Sequence, residues 1–542
     1  MPLAKCSTRF VPFGICVTLL LCIARFAWAA PPPIGEITVN TSTDDDDIDS
    51  PPNGRCTLRE AMQDANSHSQ WMGKTDCASG GVDKTVIKFS YTPIAIIINP
   101  EFGEIFVSAE VEILGPATIS GPPAPAKSRI FHVTAAGNLT TTNVDENYGV
   151  GDLDSGGAGL VEGSGEIHML GGQLSLNKAD RGAGWAIYGL GEFEDVDVTA
   201  NEAAIDGGAF WIGSNAVLIL NRCTVAANRA RRAGGGLFGD AGQPNITIVR
   251  TAFVGNRADG DATGGGGAAQ VSGSFLMSDS VVTENYAGGS KGGPGLYFTA
   301  GTNVAISDSE ISKNITNLSD PNASGGGVRH DGNASAMLVE RSNLAGNIAW
   351  VGAGAYLGPG TLAFFVNTTM TRNYADVRGV LTRGDSGAGS AVYADDAFVS
   401  FVGVTLKDNT GLTQITARKP GSSVRFDNTV LWAQAGVINC DGEGSFNAAT
   451  SVQNLDWVGG SCPMPALTNK EAEVFAGAID QFEAPVSPPG IPVEHRIWFP
   501  APGGPLIHAG NPAVCTDPMT LANQDERQVK PRASCDIGAI EQ

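Results

Sequence analysis

The best lyase-like cluster of side chains in this 542-residue chain is Arg329-His330-Asp331, just after the glycine step Gly325–Gly327. A polysaccharide lyase uses an arginine or lysine base beside carboxylates that hold calcium, and the triplet supplies both residue types. Glycoside hydrolysis instead needs two carboxyl groups at a set spacing, and Asp395-Asp396 is a carboxylate pair of the same region. Each group also has a plainer reading. The triplet fits a solvated turn after the glycines, and neighbouring aspartates on a strand point to opposite faces. A third cluster, Asp44, Asp45, Asp46, Asp47 and Asp49, offers oxygen ligands of the kind Ca²⁺ prefers. It lacks the glycine and closing glutamate of an EF-hand, so a solvated acidic loop is the favoured reading. The six histidines include no pair at metal-ligand spacing. No cofactor is expected beyond that calcium option.

Those residues sit in a region organised by a repeat. An apolar residue, two variable residues and an asparagine recur ten times, from Val144–Asn147 to Leu406–Asn409. The asparagines between are Asn177, Asn201, Asn228, Asn256, Asn285, Asn314, Asn347 and Asn373. Nine intervals cover the 262 residues from Asn147 to Asn409, a mean of 29. After nearly every asparagine comes a glycine-rich step and a short apolar run, as in Gly234-Gly235-Gly236-Leu237-Phe238. A third segment alternates apolar and polar residues, as in Val217-Leu218-Ile219-Leu220, the mark of a strand with one buried face.

Three short strands per turn with a glycine corner describe a right-handed parallel β-helix, an all-β solenoid of about ten or more coils. Glycine permits the positive-φ corner. Asparagine tolerates the left-handed region, and stacked asparagines can bond amide to amide. Glycine makes up 71 residues, about 13 per cent against roughly 7 per cent in ordinary proteins, and there is no collagen-type period. Gly264–Gly267 falls in the same glycine column and lacks the Lys-Ser/Thr of a phosphate loop. Five residues before the asparagine, Cys223, Thr251, Ser280, Ser309, Ser342 and Thr368 form a column of small side chains, which makes Cys223 a buried inert thiol. The glycine step lies 11 residues after Asn314 and 14 after Asn373. Insertions at one repeat position emerge on one face, often the binding face.

Residues 1–30 read as a secretory signal: Lys5 and Arg9, an apolar stretch from Phe10 to Phe26, and Ala27-Trp28-Ala29 as a small-x-small cleavage site. No later segment is long and apolar enough to span a bilayer. Removing Lys5, Arg9 and Arg25 from the 34 Lys+Arg leaves 31 against 56 Asp+Glu, a net charge of −25. Such a surface repels nucleic acid and anionic lipid, and reaches anionic polysaccharide only locally or through bridging cations. In an exported chain the close pairs Cys56–Cys77, Cys440–Cys462 and Cys515–Cys535 are plausible disulfides. Thr57 followed by Glu60 marks a capping box and a helix from Thr57 to Asn66, placed to cover the open edge of the first coil.

Three stretches carry resemblances. Cys56-Thr57-Leu58-Arg59-Glu60-Ala61, with Ala65-Asn66 and the strands before and after, resembles the CSLREA domain of exported bacterial proteins, threonine replacing its usual serine. The repeats resemble those of polymorphic outer-membrane proteins, with Phe253–Asn256 as the full aromatic-x-x-Asn step. Asp525-Glu526-Arg527 and Cys535-Asp536-Ile537-Gly538-Ala539-Ile540-Glu541 resemble a choice-of-anchor Q domain. The resemblances imply a right-handed β-helix in a secreted or cell-surface protein and no common activity. The domain expectation is a signal over 1–30, a cap with first coils over 31–135, repeats over 136–430 and the anchor-like region over 431–542. Polygalacturonase-like helices carry Gly-His-Gly and Arg-x-Lys, and neither occurs here. The expected role is therefore adhesion or binding, toward carbohydrate or another cell-surface component. A lyase or hydrolase on the long-loop face is the alternative, and a structural envelope component a second.

Overall fold

A computed structural model describes residues 34–45, 53–68, 75–78, 83–151, 156–260, 264–320, 322–377 and 387–447, with short pieces between 454 and 506. The signal segment, Asp46, Asp47, Asp49 and the Cys515–Cys535 pair lie outside the described residues. The chain winds into a parallel β-solenoid whose clearest stack holds thirteen strands, from Ile105–Val107 to Ile438–Gly442. Each middle coil has four strands rather than the expected three. In one coil these are Val217–Asn221, Thr224–Ala226, Arg229–Ala230 and Leu237–Gly239. They build the long-strand, short-strand, asparagine and glycine stacks. The two-residue strand after the asparagine is too short to show any periodicity, so the sequence concealed it. In the first coils Glu110–Ser120 and Asn138–Asn147 run through both the long- and short-strand stacks.

The asparagine file explains the repeat. Asn201 Nδ2 donates to Asn228 Oδ1 (2.9 Å), Asn228 to Asn256 (3.0 Å), Asn256 to Asn285 (3.0 Å) and Asn285 to Asn314 (2.9 Å). The file runs without a break from Asn177 through Asn347 and Asn373 to Asn409. From Asn201 onward each Nδ2 also donates to the carbonyl of the apolar residue in the preceding coil, as Asn256 does to Val225 O (2.8 Å). That bond ties the two ends of the apolar-x-x-Asn unit together across coils. The left-handed residue is the one before the asparagine, namely Ala200, Ala227, Lys313 or Arg372. Asparagine is therefore present for its amide and not for its φ. The glycine column does take positive φ, at Gly207, Gly234, Gly325 and Gly352 among others.

One instance of the repeat was out of register. Glu146, not Val144, pairs with Leu174 in the apolar column, and Gly149 donates its N–H to Asn177 Oδ1 where a further asparagine was expected. Asn147 instead accepts from Ser120.

The small-residue column is a second ladder. Cys223 N–H donates to Thr251 Oγ1 (3.2 Å), Thr251 N–H to Ser280 Oγ (3.1 Å) and Ser280 N–H to Ser309 Oγ (3.1 Å). Burial pushes the Cys223 thiol up to about 12. Native protein treated with iodoacetamide should therefore show no alkylation at Cys223 by mass spectrometry, and complete alkylation once unfolded.

Helix α1 (Leu58–Ser67) begins at Thr57 with the expected capping box. Its side chains replace a missing coil below the glycine stack. Asn66 donates to Phe106 O (2.8 Å) and accepts from Ser108 N–H (2.8 Å), while Arg59 donates to the carbonyls of Phe102, Gly103 and Glu104. The open edge thus has its backbone groups paired. Cys56–Cys77 and Cys440–Cys462 are disulfides. Cys440 lies on a strand of the thirteenth coil, so the solenoid extends past the expected boundary at 430.

Candidate functional site

In the glycine stack the first and third residues of each strand point inward and the middle one points out. The outward residues of successive coils are in register: Gln270, Tyr297, Arg329, Tyr356 and Tyr393. The Arg329 guanidinium lies over the ring of Tyr297 (5.6 Å) on one side and Tyr356 (4.7 Å) on the other. Tyr356 stacks on Tyr393 at 5.6 Å and 11°. Arg329 Nε donates to Asp331 Oδ1 (2.8 Å), and Nη1 donates to Lys291 O (2.6 Å) and to the Ser324 hydroxyl.

Arg329-His330-Asp331 is consequently no solvated turn. Val328–His330 is a strand, and Arg329 and His330 are both buried. His330 faces the interior of the coil, where Nε2 donates to Thr302 O (2.9 Å) and Nδ1 accepts from Gly332 N–H (3.0 Å). Burial lowers its pKa, so it is a neutral structural imidazole with no path to a ligand. Asp331 stands just past the strand on the outer side.

Asp395 and Asp396 do not share a strand. Asp395 follows the strand Val392–Ala394, and Asp396 opens the next turn at φ 60°. The backbone N–H groups of Asp331, Gly358 and Asp395 each bond the last strand carbonyl of the preceding coil, Phe298, His330 and Leu357. They occupy one column, so Asp331 and Asp395 are two coils apart, about 9.6 Å along the axis. Of the five proposed site residues, the structure brings Arg329, Asp331 and Asp395 to one face, and turns His330 and Asp396 away.

Asp331 accepts from Tyr297 Oη (2.6 Å), and Asp395 from Tyr356 Oη (3.3 Å). Lys291 lies 3.9 Å from Asp331 and Lys419 2.9 Å from Asp395. Burial pushes the Asp331 carboxyl up, but Arg329, Tyr297 and Lys291 outweigh it and hold it below the usual range. Burial first, and then Asp331, raises the Tyr297 phenol. Burial likewise raises Tyr356. At neutral pH Asp331 is thus an anion with no proton to donate. Arg329, with Nε and Nη1 bonded and its guanidinium plane between two tyrosine rings, is a donor and not a base. What remains is a binding rim: Lys291, Asp331, Asp395 and Lys419 in the order + − − +, above stacked aromatic rings. The lysines are about half exposed, at 43% and 46% of their side chains.

Sequence reasoning missed Tyr297, Tyr356, Tyr393, Lys291 and Lys419. A signal existed, because each tyrosine stands four residues after a column glycine, Gly293, Gly352 and Gly389, as Arg329 does after Gly325. The long loops do end here: Ser324 closes one against Arg329. Gly387 N–H, just after residues 378–386 (which lie outside the described residues), bonds Trp350 O (3.0 Å).

The acidic loop is not a metal centre at Asp44. Both of its oxygens bind Arg59 (2.8 and 2.7 Å), and Asn99 N–H donates to Oδ2 (2.7 Å). It is a buried ion pair rather than a solvated carboxylate. Among the described residues no group of three or more His, Cys, Asp or Glu side chains could hold a metal ion. Nor is any described helix long and apolar enough to cross a membrane.

The N-terminal end of the outward column holds a different cluster. Phe106 and His132 lie ring to ring at 4.8 Å. His132 bridges Glu104 (Nδ1, 2.7 Å) and Glu162 (Nε2, 2.8 Å) across three coils. The Glu104 bond raises its pKa, with burial opposing and Glu162 assisting. A histidine raised in this way stabilises the fold fully below its ordinary 6.5, and that contribution disappears as pH climbs through the raised folded value. The melting-temperature difference between wild type and His132→Gln should therefore be largest near pH 6 and shrink above pH 8. A difference constant across that range would remove the bridging imidazolium from the account.

No family model matches this chain, and no curated protein matches it.

Proposed function

We propose that the protein is an exported, secreted or surface-held solenoid that binds carbohydrate of a cell surface through the outer face of its glycine stack. The observation that carries this reading is the Tyr297–Arg329–Tyr356–Tyr393 stack beneath the rim of Lys291, Asp331, Asp395 and Lys419. Sugar rings lay their C–H faces on aromatic side chains, and their hydroxyl groups bond fixed carboxylates and ammonium groups. Disulfides fit an oxidising compartment outside the cytoplasm. The signal-like first thirty residues and the resemblance to exported bacterial proteins support the same address.

Binding is favoured over catalysis because Asp331 is held ionised and Arg329 is fixed as a hydrogen-bond donor between two tyrosine rings. A glycan array probed with purified protein tests the proposal. Wild type should retain one class of glycan, and Lys291→Ala/Lys419→Ala should weaken it at least tenfold without lowering the melting temperature. New reducing ends or unsaturated uronates released by wild type, with or without Ca²⁺, and abolished in Arg329→Ala would establish the lyase or hydrolase instead. An array with no ligand would leave the structural role.

A further inference from the structure

A second face carries charge of the opposite sign to the chain as a whole. The protein has a net charge of −22, yet the asparagine stack gathers Lys178, Arg181, Arg229, Arg231, Arg232 and Arg257 on the first, third and fourth of four successive coils, the second contributing Glu202 and Asp206. Four carboxylates accompany these six cations among the described residues there: Asp180, Glu202, Asp206 and Asp259. Two of them are each shared between two arginines. Asp259 accepts from Arg229 Nε (2.8 Å) and Arg257 Nε (2.6 Å). Asp206, itself buried, accepts from Arg232 Nε (2.8 Å) and lies 4.0 Å from Arg181. A carboxylate shared in this way aligns two guanidinium groups and leaves one positive charge over.

Register makes the patch a strip. Glu202, Arg229, Arg257 and Tyr286 are direct neighbours in one column, and Arg257 lies over the Tyr286 ring at 4.4 Å. Arg229 and Arg257 expose about half of their side chains, and Arg231 is exposed as well. Exposed ion pairs are weak in water, so an incoming anion can compete for these donors. Guanidinium also matches carboxylate and sulfate in a two-point geometry.

We infer that this strip is a binding site for a single chain of acidic polysaccharide, one bearing a uronate or sulfate on successive sugars, lying along the solenoid axis. Coil spacing is about 4.8 Å, close to the length of one sugar in an extended chain, so Arg229 and Arg257, neighbours on adjacent coils, meet anions on adjacent sugars. The strip is one or two columns wide and about 14 Å long over its three intervals. A nucleic-acid duplex or a lipid surface is broader and would press its charge on the surrounding carboxylates. The site is separate from the glycine-face rim and does not depend on it.

Binding of polygalacturonate to the full chain, in EDTA, tests the inference, with a neutral glucan, duplex DNA and phosphatidylserine vesicles as comparison ligands. Polygalacturonate alone should bind, and its affinity should fall at least about tenfold between low and physiological salt, as for any polyanion held by several cations. Arg229→Gln/Arg231→Gln/Arg257→Gln should lose at least tenfold, the corresponding lysine triple variant, which keeps the charge but not the two-point geometry, should lose less, and Lys291→Ala/Lys419→Ala should change nothing. Melting curves of the variants separate lost binding from lost folding. The inference is overturned if polygalacturonate does not bind, if DNA or vesicles bind in its place, or if the glycine-face variant rather than the arginine variant abolishes binding.

Discussion

Replacing Glu146 with glutamine stabilises the protein by an amount that grows with pH. Glu146 stands in the apolar column, paired with Leu174 and with Ile119, wholly buried inside the solenoid. One oxygen accepts from Trp185 Nε1 (2.9 Å), and Oε1 has no partner among the described residues. Burial pushes the carboxyl up to about 8, against a small lowering by Trp185 and a small further rise from Asp145. Between 4.5 and about 8 the folded protein keeps this proton and the unfolded chain has lost it. The unfolded state binds fewer protons, so stability falls as pH rises, by about 1.4 kcal/mol per pH unit. Over the whole window that is on the order of 5 kcal/mol. Glutamine still accepts from Trp185 and does not titrate. Denaturant titrations should find Glu146→Gln within about 1 kcal/mol of wild type at pH 4.5 and several kcal/mol more stable at pH 8.5. A gap equal at both pH values would place Glu146 in water.

Asn285→Ala should be the most damaging single substitution in the middle coils. Asn285 Oδ1 accepts from Asn256 N–H (2.8 Å) and Asn256 Nδ2 (3.0 Å), and its own Nδ2 donates to Asn314 Oδ1 (2.9 Å) and Phe253 O (3.1 Å). Truncation takes a bond from these four buried groups and from Thr283 O, which accepts from Nδ2 at 2.9 Å. Each stranded group costs about 1–3 kcal/mol, so a loss on the order of 5 kcal/mol is expected. Asn303→Ala, at an exposed strand end, should stay within about 0.5 kcal/mol of wild type.

What could be read from sequence follows from what repeats. The asparagine file, the glycine corners and the cap at Thr57 were legible because each places a particular side chain at a fixed interval. Glu146 was hidden because the motif was matched at Val144, two residues early, and a charged residue in an apolar column breaks the pattern used to find it. The site was half legible. Arg329, Asp331 and Asp395 were visible as ionisable residues, but that Asp331 and Asp395 share a column depends on register across the 63 residues between them, which no local pattern reveals. The tyrosines fall in the short apolar runs after the glycine steps, and only the alternation within a three-residue strand turns them outward. His330 and Asp44 were read as solvated side chains because sequence does not show burial.

The stacking of equivalent side chains underlies both proposed faces, and a double-mutant cycle measures it directly. Asn285→Ala and Asn314→Ala, made singly and together, should couple by about 1–3 kcal/mol, because their amides bond each other. Asn201→Ala and Asn347→Ala, five steps apart in the file, should combine additively to within about 0.5 kcal/mol. Additivity for the adjacent pair, or equal coupling for the distant one, would mean that the asparagines of successive coils do not lie in file.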